Sequence, residues 1–514
     1  MKMVKSLLLG SAAALAAVTA GQAADLPVKA KPVEYVKVCS LYGAGFYYMP
    51  GTDICLKIGG YVRAETTYHS NGNFAGGPTA GDVNNRNTSE FVMRARAYIT
   101  ADSREQSSFG TIRTYFAVGI ADTDTGPAIA FSPLFINRAF IQWAGLTAGI
   151  TQSFFDFYSS AAVGYRAYLP SSDTGDSGWW LFAYTAQLGN GLSASISAEQ
   201  RRMSQIIGLT DDAFVSAASG TASLVAGALA TNGQGYGGLN VPDIVGNIRL
   251  DQTWGSAQIM GAAHQVNAPY YGVISTTAAG SLSETGHPGD QWGFVAGAGL
   301  RLNFPMITQG DYFQTQVNYT QGGLRYLNMG NNSPNFGWER GGNFGFGVMS
   351  DCVYGSLAAP IGGPVSEGTG CNLTTAWEVN ASYEHYWTPQ FHESFVFGYE
   401  QAQYNSQANA ILCVFEGAGT GNTGSAAVAA PGCNNNWALW TGATRFQYDV
   451  TKTLYLGVEF LYSRLDTGTL PGDVLGATGL TRLGPGFSDL SAATQIKDQN
   501  NLAITGRIHK DFLP

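Results

Sequence analysis

The sequence predicts an all-β fold in which about 16 antiparallel strands close into a transmembrane β-barrel. Only 12% of the 514 residues are charged and 45% are hydrophobic, whereas soluble domains carry about 25% charged residues. Past residue 24 the sequence has no run of about 18 apolar residues, so it predicts no membrane-spanning helix. A closed barrel also satisfies every backbone polar group in lipid, and it places its apolar residues at alternate positions. The composition therefore favours a barrel over a helical membrane protein.

Residues 1–23 are predicted to be a secretory signal peptide. Lys2 and Lys5 precede an apolar stretch over residues 7–20, and the small residues Gly21 and Ala23 follow. An N-terminal membrane anchor is the alternative, but it needs a longer apolar run. Removal of both lysines makes the formal net charge of −9 more negative by two units. This acidic balance argues against nucleic acid as a partner.

The cysteines fall into three local pairs in a chain that is predicted to be exported to an oxidising compartment. We therefore predict three disulfides: Cys39 with Cys55, Cys352 with Cys371, and Cys413 with Cys433. Free or metal-binding thiols are the alternative, but the sequence lacks any CxxC motif and no histidine is close to a cysteine. Six cysteines formally allow 15 connectivities, so local pairing is the preferred interpretation.

Strands are predicted wherever apolar and polar residues alternate over about ten positions. From Asn501 onward, apolar side chains occupy even positions 502, 504, 508 and 512, and polar ones occupy odd positions. A helix would scatter these residues around its surface. The same test predicts strands beginning near Leu56, Ser89, Gly110, Leu134, Thr147, Trp179, Gly191, Ile244, Ser256, Trp292, Tyr312, Ala376, Phe391, Trp437, Thr453 and Asn501.

The connections between these strands alternate between long and short, which is typical of long extracellular loops and short periplasmic turns. An even strand count leaves both chain ends on the periplasmic side, where the first and last strands can pair. The predicted organisation is a signal peptide at 1–23, an N-terminal periplasmic-side segment at 24–55 and a barrel at 56–514, whose third long loop spans about 156–178. Two cysteine pairs fall in the sixth and seventh long loops. The glycine-rich residues 341–347 of the sixth loop are predicted to be a flexible linker.

The side of each strand that does not face lipid should line the pore. In the first strand, Ile58 and Val62 are assigned to the lipid face, which leaves Arg63 and Glu65 inside. The same alternation predicts a basic ladder on four neighbouring strands: Arg63, Arg94, Arg96, Arg113 and Arg138. An arginine in lipid would cost about 2–4 kcal/mol near the midplane, so a position in the lumen is favoured. The alternative is that these arginines lie in solvent or pair with carboxylates.

The third long loop carries acidic residues that could oppose this ladder: Asp156, Asp173 and Asp176. If the loop folds into the pore, carboxylates facing guanidiniums would set a transverse field across a narrow, wet constriction. A surface loop with ordinary charges is the alternative.

The sequence contains no complete enzyme motif. Gly175-Asp176-Ser177-Gly178 is similar to the nucleophile loop of chymotrypsin-like proteases. However, His264 follows the serine rather than preceding it, and its context does not fit a triad. The sequence has no HExxH motif, phosphate loop or dinucleotide fingerprint. We therefore expect neither catalysis nor a metal or cofactor.

Four stretches resemble the general porins of alphaproteobacteria, particularly those of the rhizobial type. They are residues 24–27 (ADLP), 33–65 (VEYVKVCSLYGAGFYYMPGTDICLKIGGYVRAE), 138–149 (RAFIQWAGLTAG) and 153–158 (SFFDFY). The resemblance covers about the first 200 residues and the strands near the C-terminus. One departure is that Phe512 is followed by Leu513 and Pro514, whereas such barrels usually end in an aromatic residue.

The resemblance implies a sixteen-stranded homotrimer in the outer membrane, with one pore per subunit, a third loop (about 156–178) folded inward as the constriction, and no catalysis or cofactor. Its partners would be outer-membrane lipid, lipopolysaccharide and small hydrophilic solutes. It also implies that Asp156, Asp173 and Asp176 face the five arginines of the ladder. The expected function is a porin for passive diffusion. The alternatives are a channel selective for sugars or dicarboxylates, to which the predicted lumen residues Tyr61, Tyr98 and Tyr115 could contribute, and a barrel-anchored adhesin or receptor.

Overall fold

The computed structural model describes most of the chain past residue 36. The described residues are 37–69, 82–84, 89–124, 130–131, 134–158, 160–165, 170–175, 177–209, 235–269, 287–328, 335–340, 343–355, 369–417, 432–469 and 495–512. The predicted signal peptide lies outside them. The chain forms two compact units, Met1–Leu56 and Lys57–Pro514.

The first unit is a small disulfide-bonded hairpin in its described part. A 3₁₀ turn, Ser40–Tyr42, precedes the strand Tyr47–Tyr48, which pairs antiparallel with Cys55 and Leu56. The disulfide Cys39–Cys55 and the ring of Phe46 form its buried centre. Because so short a hairpin buries little apolar surface, the disulfide is its main constraint.

The second unit is a closed barrel of sixteen strands, which confirms the predicted fold class. In chain order the strands are β1 Cys55–Tyr68, β2 Phe91–Ser107, β3 Gly110–Asp124, β4 Phe135–Trp143, β5 Leu146–Thr151, β6 Trp179–Gly189, β7 Leu192–Glu199, β8 Asp243–Gln252, β9 Gly255–Val266, β10 Gln291–Asn303, β11 Tyr312–Gln321, β12 Thr375–Tyr386, β13 Phe391–Gln403, β14 Trp437–Thr451, β15 Leu454–Asp466 and β16 Gln499–Asp511. Each predicted start lies within two residues of the observed one. The barrel closes where β16 pairs antiparallel with β1, from Tyr61 opposite Asp511 to Tyr68 opposite Ile504.

The alternation of side chains explains why these segments form a barrel. Ile58, Val62 and Ile99 are exposed on the outer face, whereas Glu65 is 4% exposed. Apolar side chains facing outward meet lipid, and the polar ones are shielded inside. None of the described helices is long and apolar enough to cross a membrane.

Two-residue turns at one end set the register of several strand pairs. Between β4 and β5, Ala144 and Gly145 have φ angles of 49° and 88°. Two consecutive positive φ angles are those of a type I′ turn, whose twist matches that of the flanking strands. The turn between β6 and β7 uses Gly189, Asn190 and Gly191, all with positive φ.

The long loops at the other end form sheets with one another. The hairpin of strands Asn335–Arg340 and Asn343–Val348 in loop 6 pairs in parallel with Asp82–Asn84 of loop 1 and with Gln495–Ile496 before β16. The predicted flexible linker at 341–347 is therefore wrong over most of its length. Phe344, Phe346 and Val348 are each at most 1% exposed, because alternate residues of a strand point to the same face and these three apolar side chains share a buried one.

A second loop sheet joins loops 4 and 6. The strand Ile206–Leu209 pairs in parallel with Cys352–Gly355, which pairs antiparallel with Asn372–Leu373. Helix α2, Ser406–Gly417, lies in loop 7, and its Ile411 and Leu412 are buried in the main hydrophobic cluster. The disulfide Cys352–Cys371 lies within loop 6 and Cys413–Cys433 lies within loop 7, in the predicted pairing.

Loop 3, between β5 and β6, lies against glycines of the inner wall. It contains helix α1, Ser160–Val163. Ring atoms of loop 3 occupy the space that a Cβ would take at three wall glycines: Phe157 at Gly299, Pro170 at Gly398 and Tyr165 at Gly457. These positions on β10, β13 and β15 let the loop backbone approach the wall closely.

Gly398→Val should displace loop 3. A Cβ at this position would lie 2.9 Å from Cδ of Pro170 and 2.7 Å from Oγ1 of Thr441, and such overpacking typically costs about 1–3 kcal/mol. We expect a lower unfolding temperature and an altered single-channel conductance in planar bilayers. Gly442→Val on the neighbouring strand is the control, because its nearest atom lies 4.0 Å from the added Cβ. Equal behaviour of the two variants would contradict this role of Gly398.

Candidate pore constriction

Loop 3 is fixed to the barrel at its start by a buried carboxylate. Glu199 of β7 accepts hydrogen bonds from the Ser153 hydroxyl at 2.5 Å and from the Phe154 backbone N–H at 2.9 Å. The loop then contacts Gln316 of β11, whose side-chain oxygen accepts from the Tyr158 N–H at 2.8 Å. The loop backbone is thus hydrogen-bonded to polar side chains of the inner wall.

The tip of loop 3 reaches the strands next to the closure. The Tyr165 N–H donates to Glu459 of β15 at 2.5 Å, and the Tyr165 carbonyl accepts from Arg507 of β16 at 3.1 Å. Arg445 of β14 donates to the Ala162 carbonyl at 3.0 Å. Burial raises the pKa of the Tyr165 phenol, so the ring that packs beneath Arg507 stays neutral at physiological pH.

Asp156 forms a buried ion pair outside the predicted ladder. Its carboxylate accepts from Arg202, which follows β7, at 2.7 Å, and both side chains are fully buried. Burial lowers the pKa of Arg202, but Asp156, Tyr326 and Glu199 together more than offset this effect, so the pKa is raised. Thr174 also donates to Asp156 through its N–H, at 2.8 Å. Asp156 therefore does not face the ladder arginines as predicted. It pairs with Arg202 instead, because a charge in a desolvated interior needs a nearby partner of opposite charge.

Asp173 caps the loop backbone. Its two oxygens accept from the Ser160 N–H at 2.8 Å and from the Gly175 N–H at 2.7 Å. Asp176 lies outside the described residues, so its predicted role stays a prediction.

Three guanidiniums converge on Glu65 of β1. Arg94 donates to its Oε2 through two nitrogens, at 2.9 and 2.7 Å, and Arg507 donates to its Oε1 at 2.7 Å. Nε of Arg63 lies 3.3 Å from the same carboxylate. One carboxylate thus faces three positive charges, and the group retains a net positive charge.

The remaining ladder arginines have separate surroundings. Arg96 lies over the ring of Phe135, with 5.4 Å between Cζ and the centroid. Arg113 donates to Asp102 at 3.1 and 2.9 Å, and Arg104 binds the same carboxylate. Arg138 donates to the Gly175 carbonyl of loop 3 at 2.5 Å. The structure therefore brings Arg63 and Arg94 together and places Arg113 in a second group.

The two sides of the lumen differ in exposure. Lumen-facing side chains on β11–β14, such as Gln316, Glu378 and Ser394, are completely buried, and several of them contact loop 3. By contrast, the side chains of Arg63, Arg104 and Arg113 are 13%, 28% and 30% exposed. The open part of the lumen in the described structure is thus lined by the basic strands.

Aromatic rings form a belt around this open wall. Tyr61 stacks on Tyr98 at 5.0 Å and contacts His509 at 4.6 Å, and His509 stacks on Tyr455 at 4.7 Å. Because these residues lie on neighbouring strands, the belt runs around the wall rather than along the pore. Tyr115 stacks separately on Phe140.

Arg202, Arg445 and Arg507 are functional neighbours of loop 3 that the sequence did not predict. Arg507 could have been found from the alternation in β16 together with barrel closure, since closure places β16 beside β1. No sequence pattern marks Arg202, because it lies after a strand and its partner Asp156 is 46 residues away.

A closed sixteen-stranded barrel with an apolar exterior and a polar lumen defines the class of bacterial outer-membrane β-barrel proteins. Residues 25–500 match the family model of the porin subfamily. The chain therefore belongs to this porin family, as the resemblance predicts.

Similarity to individual outer-membrane proteins supports this assignment. The chain is 33% identical over 265 residues to porin Omp2b of Brucella melitensis biotype 1, a match that covers 49% of this chain and 64% of the relative. It is 38% identical over 160 residues to the outer membrane protein y4fJ of Sinorhizobium fredii, covering 29% and 43%. The chain thus spans less than two thirds of the length of these relatives. The outer membrane channel DcaP of Acinetobacter baumannii has the same fold, with a TM-score of 0.54 at 11% identity, covering 90% of this chain and 99% of that one.

Asp156→Asn should strongly destabilise the protein, because it leaves Arg202 charged and buried without its partner. Breaking a buried ion pair in this way costs about 3–5 kcal/mol. The double variant Asp156→Asn/Arg202→Met should recover part of this loss, measured by urea unfolding in lipid vesicles. Asp251→Asn is the control, because the side chains of Asp251 and its partner Arg249 are 53% and 37% exposed. Such an exposed pair should contribute only about 0–1 kcal/mol to stability. A similar small loss at both sites would refute the anchoring role of Asp156.

Proposed function

We propose that this protein forms a water-filled channel in the outer membrane, through which small hydrophilic solutes and ions diffuse passively. The proposal rests on the one-sided lumen: loop 3 covers the polar side chains of β11–β14 and leaves the basic wall accessible. In this proposal the signal peptide 1–23 is removed on export. Transport needs neither catalysis nor a cofactor, because diffusion down a gradient involves no chemical step.

We further propose that the channel prefers anions. Glu65 faces three guanidiniums, and Asp102 faces two. In both groups the positive charges outnumber the negative ones, so the local potential attracts anions and repels cations. The acidic net charge of the chain is a poor guide to selectivity, since charges distant from the pore are screened within about 10 Å at 0.1 M salt.

The aromatic belt does not favour a sugar-selective channel. A sugar stacks on the face of an exposed ring, but Tyr61 stacks on Tyr98 and also contacts the tilted ring of His509. Since these ring faces are occupied by one another, the belt offers a solute mainly ring edges. This arrangement supports non-specific diffusion over sugar binding.

Single-channel recording with a salt gradient tests both parts of the proposal. The refolded protein should show stepwise conductance, and the sign of its reversal potential should indicate anion preference. Arg63→Gln should lower the anion-to-cation permeability ratio by up to about 16-fold, because a unit positive charge at ~5 Å in water attracts an anion and repels a cation by about 0.8 kcal/mol each. Arg464→Gln is the control, since this exposed arginine pairs with Asp466 and Asp498. A folded barrel without conductance would refute the channel, and cation preference would refute the anion preference alone.

We also propose a homotrimer that associates through the outer face of β2. Four of its outward positions, Ala95, Ala97, Ala101 and Ser103, are small, although Ile99 lies between them, whereas β12–β14 expose Trp377, Phe395, Phe397 and Trp440. Small side chains allow another subunit to approach closely in lipid.

Ala97→Trp should therefore weaken the trimer, because a large ring would hold the neighbouring backbones apart. Light scattering in detergent measures the oligomeric state. Ala381→Trp, on the outer face of β12, is the matched control and should leave the trimer intact. A trimer unaffected by either substitution would place the interface elsewhere.

A further inference from the structure

Two glutamates face each other in the wall behind loop 3. Glu378 of β12 and Glu400 of β13 are directly paired in the antiparallel register, and each is 0% exposed. The charge of Glu400 repels that of Glu378. Neither carboxylate has a Lys, Arg or His partner among the described residues. Like charges at directly opposed positions are destabilising, and burial without a counter-charge adds to this cost.

The polar groups around this pair leave oxygens unsatisfied. Asn318 donates to Oε1 of Glu378 at 2.5 Å, and Asn328 donates to Oε2 of Glu400 at 3.0 Å. Oε1 of Glu400 is buried without a hydrogen-bond partner, and so is Oδ1 of Asn380, a residue that is 0% exposed. Buried acceptors without donors are rare in folded proteins and point to a missing partner.

Asn380 links the pair to loop 3. Its Nδ2 lies 3.3 Å from Oε2 of Glu378 and 3.3 Å from the Pro170 carbonyl oxygen. An asparagine amide can present either end, and the reversed amide would place Oδ1 between these two oxygens. Oxygens about 3.3 Å apart match the edge of a coordination shell whose metal–oxygen distances are 2.3–2.6 Å.

We propose that Glu378, Glu400, Asn380 and the Pro170 carbonyl bind a calcium ion. Carboxylates, an amide oxygen and a backbone carbonyl are the ligands that this hard cation prefers, with water completing the shell. Two carboxylates balance its double charge, which removes the cost of burying them. No group of three or more His, Cys, Asp or Glu among the described residues forms a metal site, so this one depends on its neutral oxygens.

The ion would join loop 3 to the wall. Glu378 and Glu400 lie on β12 and β13, and Pro170 belongs to loop 3, where it packs against Gly398 of β13. Calcium would therefore help to set the position of loop 3, independently of which solutes pass through the channel.

Terbium, which replaces calcium and emits when nearby tyrosines are excited, tests the site in the full-length refolded protein. We expect sensitised emission that calcium displaces, and an unfolding temperature that is higher in calcium than in EDTA. Glu400→Gln and Glu378→Gln should each weaken terbium binding at least tenfold and abolish the calcium-dependent shift. Glu393→Gln, a buried glutamate on the opposite face of β13, should change neither.

The two readouts also identify the alternative, in which the carboxylates share a proton. In that case the wild type would show no calcium-dependent shift, and Glu400→Gln would leave the unfolding temperature unchanged or raise it. That outcome would overturn the proposal. Terbium emission that survives both substitutions would overturn it too, because the ion would then bind elsewhere. Neither result decides whether the barrel conducts, so the channel proposal stands or falls separately.

Discussion

The pairing of β16 with β1 is the constraint on which the rest of this structure depends. In lipid every backbone N–H and C=O must find a partner within the protein, and an open sheet edge has none. Closure over the pairs from Tyr61 with Asp511 to Tyr68 with Ile504 removes both edges. It also fixes which side chains face outward, because a shift of one residue would turn every apolar side chain into the lumen.

Closure creates a polar interior that must be hydrated or filled. Loop 3 fills the part beside β11–β14, where its backbone replaces water as the partner of wall side chains such as Gln316 and Ser394. Three wall glycines provide the space for this loop. The interior therefore resembles a polar core on one side and a channel on the other, and the loop decides where one ends and the other begins.

Charges in this interior follow two different rules. The fully buried Arg202 is paired with the carboxylate of Asp156, because an uncompensated charge in a desolvated site is costly. The buried carboxylate of Glu199 is stabilised by hydrogen bonds from Ser153 and from the Phe154 N–H. At Glu65 three guanidiniums surround one buried carboxylate, and water reaches two of them, because the side chains of Arg63 and Arg94 are 13% and 15% exposed. The excess of positive charge is therefore found where solutes would pass. The pair Glu378 and Glu400 differs, because two buried carboxylates face each other and Oε1 of Glu400 has no hydrogen-bond partner. This difference motivates the calcium proposal.

The sequence by itself determined the fold, the strand starts and the disulfide pairs. These features depend on local patterns: a period of two along each strand, and cysteines close in sequence that meet in an oxidising compartment. The alternation also distinguished Arg63, Arg94 and Arg113 from their lipid-facing neighbours. The flexible linker predicted at residues 341–347 was wrong, because the prediction rested on glycine content alone. The alternation of Phe344 and Phe346 with glycines indicates a strand.

Only the tertiary structure decided which charges meet. Asp156 pairs with Arg202 rather than with the ladder, Arg507 joins Arg63 at Glu65, and Glu378 faces Glu400. Each partner is remote in sequence or lies on another strand, and its position depends on the barrel register and the path of loop 3. Local patterns carry no information about such contacts, because the energy that selects them comes from desolvation and pairing in the closed barrel.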